Sequence, residues 1–308
     1  MRYAVRTSCA ELPISFRSNV TGAFSNGAAW LKELPNLLEG CKQRWKLDVA
    51  GDPFPLSFNY VVPVSRANGK GAVLKLGVPN SELRSEARAL RAYDGHGAVR
   101  LIECDEEIGA LLLARIVPGQ TLADLCDEKQ ATGIAARTML KLWKARPNPS
   151  EFRGQEDWTG GLTKLRARFS GGTGPIDPGL VDAAERLRSE LLPCASEAVL
   201  LHGDLHHLNI LQGKGNEWFA IDPKGVMAEP AYEPAAFLLN PDPATCLDKA
   251  IQTMRVDIFA EMLQLDRERV LGWAYFHSVL SAWWTIENGG QVQESHIAKA
   301  RLLRSLLR

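Results

Sequence analysis

The chain has 308 residues, 45% of them hydrophobic and 23% charged, with 36 basic side chains against 36 acidic ones and a formal net charge of zero. Such a composition is globular and holds enough apolar material for a sizeable core, in one large domain or in two lobes. It provides no global field that would draw the chain to nucleic acid or to an anionic membrane, so neither is expected as a partner and any charge selectivity must be local. Cys9, Cys41, Cys104, Cys126, Cys194 and Cys246 are widely scattered, without metal or small-scaffold spacing, and read as reduced cytosolic thiols. No apolar signal core follows the charged N-terminus. The most apolar later stretch, residues 271–286, is interrupted by His277, Ser278 and Ser281 and falls short of a membrane span. A soluble, cytoplasmic, monomeric protein is expected.

Residues 1 to 24 are weakly patterned and read as a loosely packed arm. From Asn26 to Trp45 the apolar residues Trp30, Leu31, Leu34, Leu37, Leu38, Cys41 and Trp45 recur at helical spacing, with Pro35 marking a break or a new start. Residues 1–44 are therefore a helical extension. Strand signals follow at 45–49, 58–64 and 72–76, the last two joined through Asn68-Gly69, a hairpin pair. Lys75 thus lies on the third strand of an antiparallel meander. A helix capped by Asn80 or Ser81 comes next, carrying Glu82 and Glu86 one turn apart. A lysine on a strand and a glutamate on the next helix can anchor nucleotide phosphates, although most such residues simply face solvent. Glu86 is preferred, because Glu82 sits in the first turn and complements the helix dipole there. Two more strands, 99–103 and 109–116, close the sheet. The lobe boundary is placed at 115/116, and the backbone of Ala114 to Ile116 is a candidate for the edge of an adenine ring.

Beyond the boundary the pattern turns helical, with a helix at 131–145, a loop-rich interval 146–161 and helices at 162–169 and 178–192. Then comes Leu200-Leu201-His202-Gly203-Asp204-Leu205-His206-His207-Leu208-Asn209-Ile210-Leu211, a hairpin turn at 213–216, and Phe219-Ala220-Ile221-Asp222-Pro223. A loop to Tyr232 and helices to the C-terminus complete the chain. Lys299, Arg301, Arg304 and Arg308 on the last helix read as a solvated face rather than a nucleic-acid stripe, since no aromatics interleave with them.

Apolar runs bracket a polar loop in which Asp204 and Asn209 stand five residues apart, and Asp222 follows a third apolar run. Phosphorylation of a hydroxyl needs this set: a carboxylate to accept the proton, and an amide and a second carboxylate to hold magnesium on the nucleotide. Two plainer readings stand beside it. Asp and Asn are common at turns because they hydrogen-bond to local backbone, and the crowding of His202, His206 and His207 would also suit zinc, although no Cys-x-x-Cys or His-Glu-x-x-His spacing supports a zinc site.

With these residues in view, the chain resembles the aminoglycoside and hydroxyurea antibiotic-resistance kinase family over nearly its whole length from Gly27. The marks are residues 27–35, Val73-Leu74-Lys75-Leu76, residues 112–119, the loop from His202 to Leu211, Ile221-Asp222-Pro223-Lys224-Gly225 and Asn240-Pro241. The resemblance implies an α+β, bilobal protein-kinase-like fold, with an antiparallel-sheet lobe at 45–115 and a mainly helical lobe at 116–308. It also implies transfer of a phosphoryl group from ATP, with Mg2+, to a hydroxyl of a streptomycin-like aminoglycoside. Asp204 would then be catalytic, Asn209 and Asp222 would hold the metal and nucleotide, and Lys75, Glu86, Ala114 and Ile116 would contact the nucleotide. Glu229, Glu233 and Glu287 are candidates for pairing with a cationic acceptor. A kinase of another hydroxylated metabolite, or a non-catalytic nucleotide-binding module, is the alternative. The chain departs from the protein-kinase pattern at residues 50–57, where one glycine and two prolines replace a glycine-rich cradle, and at Glu233, where a following proline would redirect the acid.

Overall fold

The computed structural model describes residues 12–307. It divides into two compact units, one made of residues through Gly95 with Val99–Ile116, the other of His96–Ala98 with the chain from Val117 onward. The expectations for residues 1–11 and for Arg308 lie outside the described residues.

The first unit runs α1 (Ile14–Ala23), α2 (Gly27–Trp45), β1 (Leu47–Val49), β2 (Tyr60–Arg66), β3 (Gly71–Leu76), α3 (Ser81–Tyr93), β4 (Leu101–Asp105) and β5 (Ala110–Ala114). Its strands form one antiparallel sheet in the order β1-β2-β3-β5-β4. The Asn68-Gly69 signal closes the β2–β3 hairpin: Gly69 takes φ of 76° and its N–H reaches the Arg66 carbonyl at 2.8 Å. The alternation of a half-buried strand then decides what each face holds. Tyr60, Val62 and Val64, Ala72, Leu74 and Leu76, and Ala110 and Leu112 share one face, packed under Phe16, Val20, Trp30, Leu31, Leu34 and Leu38 of the two N-terminal helices. Lys75, between Leu74 and Leu76, must point to the opposite face. There α3, capped by the Asn80 side chain on the Leu83 N–H (2.9 Å), buries Leu83, Glu86, Ala87, Leu90 and Tyr93.

Two expectations for the prefix change. Residues 14–23 are a helix rather than a loose arm: Phe16 and Val20, one turn apart, are fully buried, but Ile14, Phe16, Val20 and Ala23 fall at uneven intervals and raise little periodic signal. Pro35 does not interrupt α2, which runs unbroken through it. A mid-helix proline costs about 3 kcal/mol, and burial of Trp30, Leu31, Leu34, Leu38 and Cys41, at roughly 1.5–3 kcal/mol for each large apolar side chain, outweighs that.

The second unit contains α4 (Glu128–Leu142), β6 (Arg153–Gly154), α5 (Gln155–Thr159), α6 (Gly161–Arg168), α7 (Pro178–Leu191), β7 (Val199–Leu201), β8 (Ile210–Gln212), β9 (Trp218–Ala220), β10 (Val226–Ala228), α8 (Pro234–Leu238), α9 (Pro243–Leu247), α10 (Lys249–Leu263), α11 (Arg267–Glu287) and α12 (Glu294–Leu306). The core gathers on α11, buried from Val270 to Leu280 and again at Ala282 and Trp283, with α6, α7, α8, α10 and α12 around it. Strand β10, in a stretch expected as loop, lies between β6 and β7, parallel to the first and antiparallel to the second. Strands β8 and β9 form the expected hairpin. On α12, Lys299 and Arg304 are not merely solvated: they donate to the carbonyls of Leu239 (2.8 Å) and Gly179 (3.2 Å). The described cysteines are all free thiols.

Gly109 makes a sharp test of the first unit's packing. It holds φ of 71°, and a Cβ added there would lie 2.1 Å from the Gly77 carbonyl oxygen, whereas at Gly69, with φ of 76°, a Cβ would meet open space. Gly69→Ala is expected to cost about 1–2 kcal/mol, the left-handed penalty alone, and Gly109→Ala roughly twice that or more, because backbone must also move. Urea unfolding of both variants checks this, and equal losses would contradict the close approach.

Candidate active site

Strand β7 ends at Leu201 and β8 begins at Ile210, and between them the chain leaves the sheet with backbone groups that no ladder can satisfy. Their partners build the site. The N–H groups of His202 and Gly203 donate to the two carboxylate oxygens of Glu233, at 2.7 and 3.0 Å. The His202 carbonyl accepts the N–H groups of Lys224 (2.7 Å) and Gly225 (3.3 Å). The buried His202 ring donates from Nε2 to the Ile221 carbonyl (2.8 Å) and accepts the Asp204 N–H at Nδ1 (3.2 Å). That arrangement requires the neutral ring, and burial pushes its pKa down to about 3. Asn209 completes the frame, its Nδ2 donating to the Asp204 carbonyl (2.9 Å) and its own carbonyl accepting the Ile221 N–H (2.9 Å). Asp204, Asn209 and Ile221, the residue before Asp222, are thereby tied into one hydrogen-bonded frame.

This donor set suits magnesium. Because the Asn209 amide nitrogen is committed to a carbonyl, its Oδ1 is turned away from that bond, and Oδ1 and the half-buried Asp222 carboxylate are both hard oxygen donors of the kind such an ion takes. Asp222 adopts φ of 60°, a conformation that costs a non-glycine residue about 1–3 kcal/mol and tends to persist where function needs it. The histidines do not form a zinc cage. Both ring nitrogens of His202 are occupied, His206 Nδ1 accepts the Leu208 N–H (3.2 Å), and His207 Nε2 faces the Arg255 guanidinium at 3.3 Å.

His207 leads to a network that sequence reasoning missed. Its ring stacks on Phe237 with centroids 3.8 Å apart, and burial, with the Arg255 charge, pushes its pKa down to about 3. Arg255, fully buried, donates to Glu128 (2.5 and 3.0 Å) and to the Asn240 carbonyl (2.8 Å). One trace of it was available: Gln252, Arg255, Val256 and Phe259 recur at helical spacing, so a buried face of α10 has a cation inside its stripe.

In the first unit Lys75 Nζ lies 2.8 Å from both carboxylate oxygens of Glu86, and both side chains are buried. The Ala114 N–H is taken by the Arg100 carbonyl (2.8 Å), so that donor is not available to an adenine edge, and Ile116 stands half-buried at the end of the same unit.

A family model described as aminoglycoside/hydroxyurea antibiotic resistance kinase matches residues 44–289. The chain belongs to this family. A streptomycin 6-kinase of Streptomyces glaucescens is 32% identical over 289 residues, 91% of this chain and 92% of that protein. A hydroxyurea phosphotransferase of Kitasatospora aureofaciens is 34% identical over 287 residues, 90% of this chain and 81% of its own length. Among solved structures, the choline kinase LicA of Streptococcus pneumoniae, also solved with AMP, aligns at a TM-score of 0.63 with 15% identity, over 89% of this chain and 98% of its own. That backbone likeness establishes the protein-kinase-like α+β fold.

The acids expected to meet a cationic acceptor are placed differently in this kinase. Glu229 is fully buried and held by Arg269 (2.5 and 2.7 Å) and the Trp273 indole N–H (2.5 Å), and Glu233 is buried under the backbone it braces. Neither carboxylate is left exposed to an acceptor. Glu287 is exposed at the end of α11, 3.5 Å from Lys164.

Burial pushes His202 and His207 down to about 3 and His277 to about 4. Each folded value lies below the unfolded value of about 6.5, so the unfolded chain binds more protons and stability falls as pH drops below that point. Glu233 runs the other way: burial pushes it up to about 7 against an ordinary 4.5, and its contribution falls as pH rises through that window. Three histidines outweigh one carboxyl. Between about pH 6.5 and 4.5 the protein should lose up to about 1.4 kcal/mol per pH unit for each histidine not offset by Glu233. Urea midpoints across this range check it, and a flat profile would contradict the neutral, buried rings.

Proposed function

We propose that this kinase transfers the γ-phosphoryl group of ATP to a hydroxyl of a streptomycin-like aminoglycoside. The observation that carries the reading is the frame around Asp204, in which the main chain on either side of the carboxylate is fixed by His202, Glu233 and Asn209. Family membership and the names of the relatives support the acceptor class.

Asp204 orients the acceptor hydroxyl and takes its proton as the oxygen–phosphorus bond forms, a role in which positioning supplies most of the rate. Asn209 and Asp222 would hold magnesium, which when bound neutralises charge on the phosphate oxygens. Lys75, fixed by Glu86, contacts the nucleotide phosphates, and Ile116 offers its backbone to the adenine ring. Glu287 is the acid still open to a cationic acceptor. A second reading has the same chemistry acting on the hydroxyl of hydroxyurea, favoured by the 34% identity to a phosphotransferase of that name.

ADP release measured with streptomycin, other aminoglycosides and hydroxyurea separates the two readings, and turnover confined to hydroxyurea would displace the first. Asp204→Asn is expected to lower kcat by about 100- to 10,000-fold while ATP affinity changes little, and an active variant would remove Asp204 from its role. Asp222→Ala should raise the magnesium concentration needed for half-maximal nucleotide binding at least about tenfold, the range expected when a metal contact is lost. An unchanged magnesium dependence would refute the ligand assignment.

A further inference from the structure

An aromatic face and a carboxylate that can each recognise a positive charge stand together in the second unit, and each is met by one of the chain's own cations. The exposed Arg153 lays its guanidinium over the ring of the half-buried Trp158, with Cζ 5.5 Å from the centroid. Trp284, also half-buried, packs edge-on to Trp158 with centroids 5.3 Å apart. Glu287, exposed and three residues beyond Trp284 on α11, faces the exposed Lys164 Nζ at 3.5 Å. Both contacts are of the weak kind, an exposed cation on a ring and an exposed ion pair, and a ligand that satisfies the same groups exchanges with them readily.

The position of these residues ties them to the catalytic loop. Arg153 on β6 pairs with Val226 of β10, and Val226 with Leu201 of β7, so the Arg153 backbone lies two strand spacings, roughly 10 Å, from the residue that leads into the loop. Helix α5, which carries Trp158, is anchored beside the end of β10 by Gln155, which accepts the Glu229 N–H at 3.0 Å. Trp284 packs on His277 with centroids 5.3 Å apart, and His277 Nδ1 lies 2.8 Å from the Tyr232 hydroxyl. Tyr232 directly precedes Glu233, which braces His202 and Gly203. Both rings are thus held by the strands and the turn that frame Asp204. A planar guanidinium is the group such a site takes, because it stacks on an indole face and its fork of N–H donors matches a carboxylate.

We propose that the Trp158 face, bounded by Trp284 and Glu287, is a subsite for a guanidinium group of the acceptor remote from the hydroxyl that is phosphorylated, and that Arg153 covers it until the acceptor displaces it. This rests on the cationic-acceptor reading above. Arg153 then competes with the acceptor, so losing Arg153 and losing Trp158 have opposite effects. Contact remote from the reacting atoms is the same before and during transfer, and it therefore acts on KM rather than on kcat.

The test uses the full-length chain with streptomycin, which carries guanidinium groups, as acceptor, and with diguanidinobutane, which has no hydroxyl, as a calorimetric binding probe. Trp158→Leu should weaken probe binding about tenfold and raise the KM for streptomycin by a similar factor while kcat moves less than about threefold, and Trp158→Phe should recover part of that loss. Arg153→Ala should tighten probe binding about threefold or more. An Arg153→Ala variant that binds the probe more weakly or no differently, or a Trp158→Leu variant with unaltered affinity, would overturn the proposal, and if the Leu variant does not fold the Arg153→Ala result decides. A wild type that phosphorylates streptomycin with a KM indifferent to both substitutions would refute the subsite and leave the function standing. A wild type that phosphorylates no aminoglycoside but binds the diguanidine through Trp158, more tightly without Arg153, would refute the acceptor assignment and support the guanidinium site. One that does neither would refute both.

Discussion

The paired bond from Glu233 to the amides of His202 and Gly203 is the constraint on which the second unit's chemistry depends. Two successive N–H groups turn out of β7 and have no strand to pair with, and a buried donor left unmade costs about 1–3 kcal/mol. A carboxylate answers both with one side chain, because its two oxygens only accept. Burial raises the Glu233 pKa and the two amide donors lower it, so the same contacts that order the loop favour the charged form they require. With the main chain pinned there, the His202 ring can hold the Asp204 N–H on one side and the Ile221 carbonyl on the other. One braced peptide thus transmits order to the main chain at Asp204 and to the strand end that precedes Asp222.

The same economy recurs away from the loop. Arg255 with Glu128, Arg269 with Glu229, and Lys75 with Glu86 are all ion pairs with at least one fully or nearly fully buried partner. Pairs of this kind add little net stability, because desolvation offsets most of the attraction, yet losing one partner strands a buried charge at about 3–5 kcal/mol. Their effect is to penalise alternatives. Arg255 ties the start of α4, the carbonyl of Asn240 and the ring of His207 into a single arrangement, so a shift of α10 breaks several contacts together.

How much of this was legible in the sequence depended on how local the cause was. Lys75 could be placed because strand alternation fixes its face, and Glu86 because the first turn of α3 disfavoured Glu82. The Asp204 to Asn209 spacing and the later Asp222 were readable because a short loop between apolar runs leaves few conformations. Glu229 and Glu233 could not be read in the same way. Their partners, Arg269, Trp273 and the His202 and Gly203 amides, are distant in the chain, and an acid beside prolines looks like a surface acid until tertiary packing buries it. Strand β10 escaped because three residues between a turn and a proline carry no period, and β6 and β7 pair with it only after the fold has formed.

If Lys75 and Glu86 hold the nucleotide phosphates as proposed, the loop at residues 50–59 explains why no glycine cradle does so. Such a cradle works by turning consecutive N–H groups towards phosphate. Here Pro53 and Pro55 have no N–H, and the Phe54 N–H between them is spent on the Val61 carbonyl at 2.9 Å. The Ala50 N–H is likewise spent on Pro63 (2.9 Å), and Asn19 of α1 holds the Ser57 carbonyl at 3.2 Å. The loop is stiffened by proline and by its tether to the N-terminal helix, and it cannot present an unbroken row of amides. On the reading proposed above, phosphate recognition in the first unit then falls to a fixed charge. Lys75 is suited to that because Glu86 has already removed the freedom of its ammonium group, so that binding a phosphate costs little further ordering of the side chain.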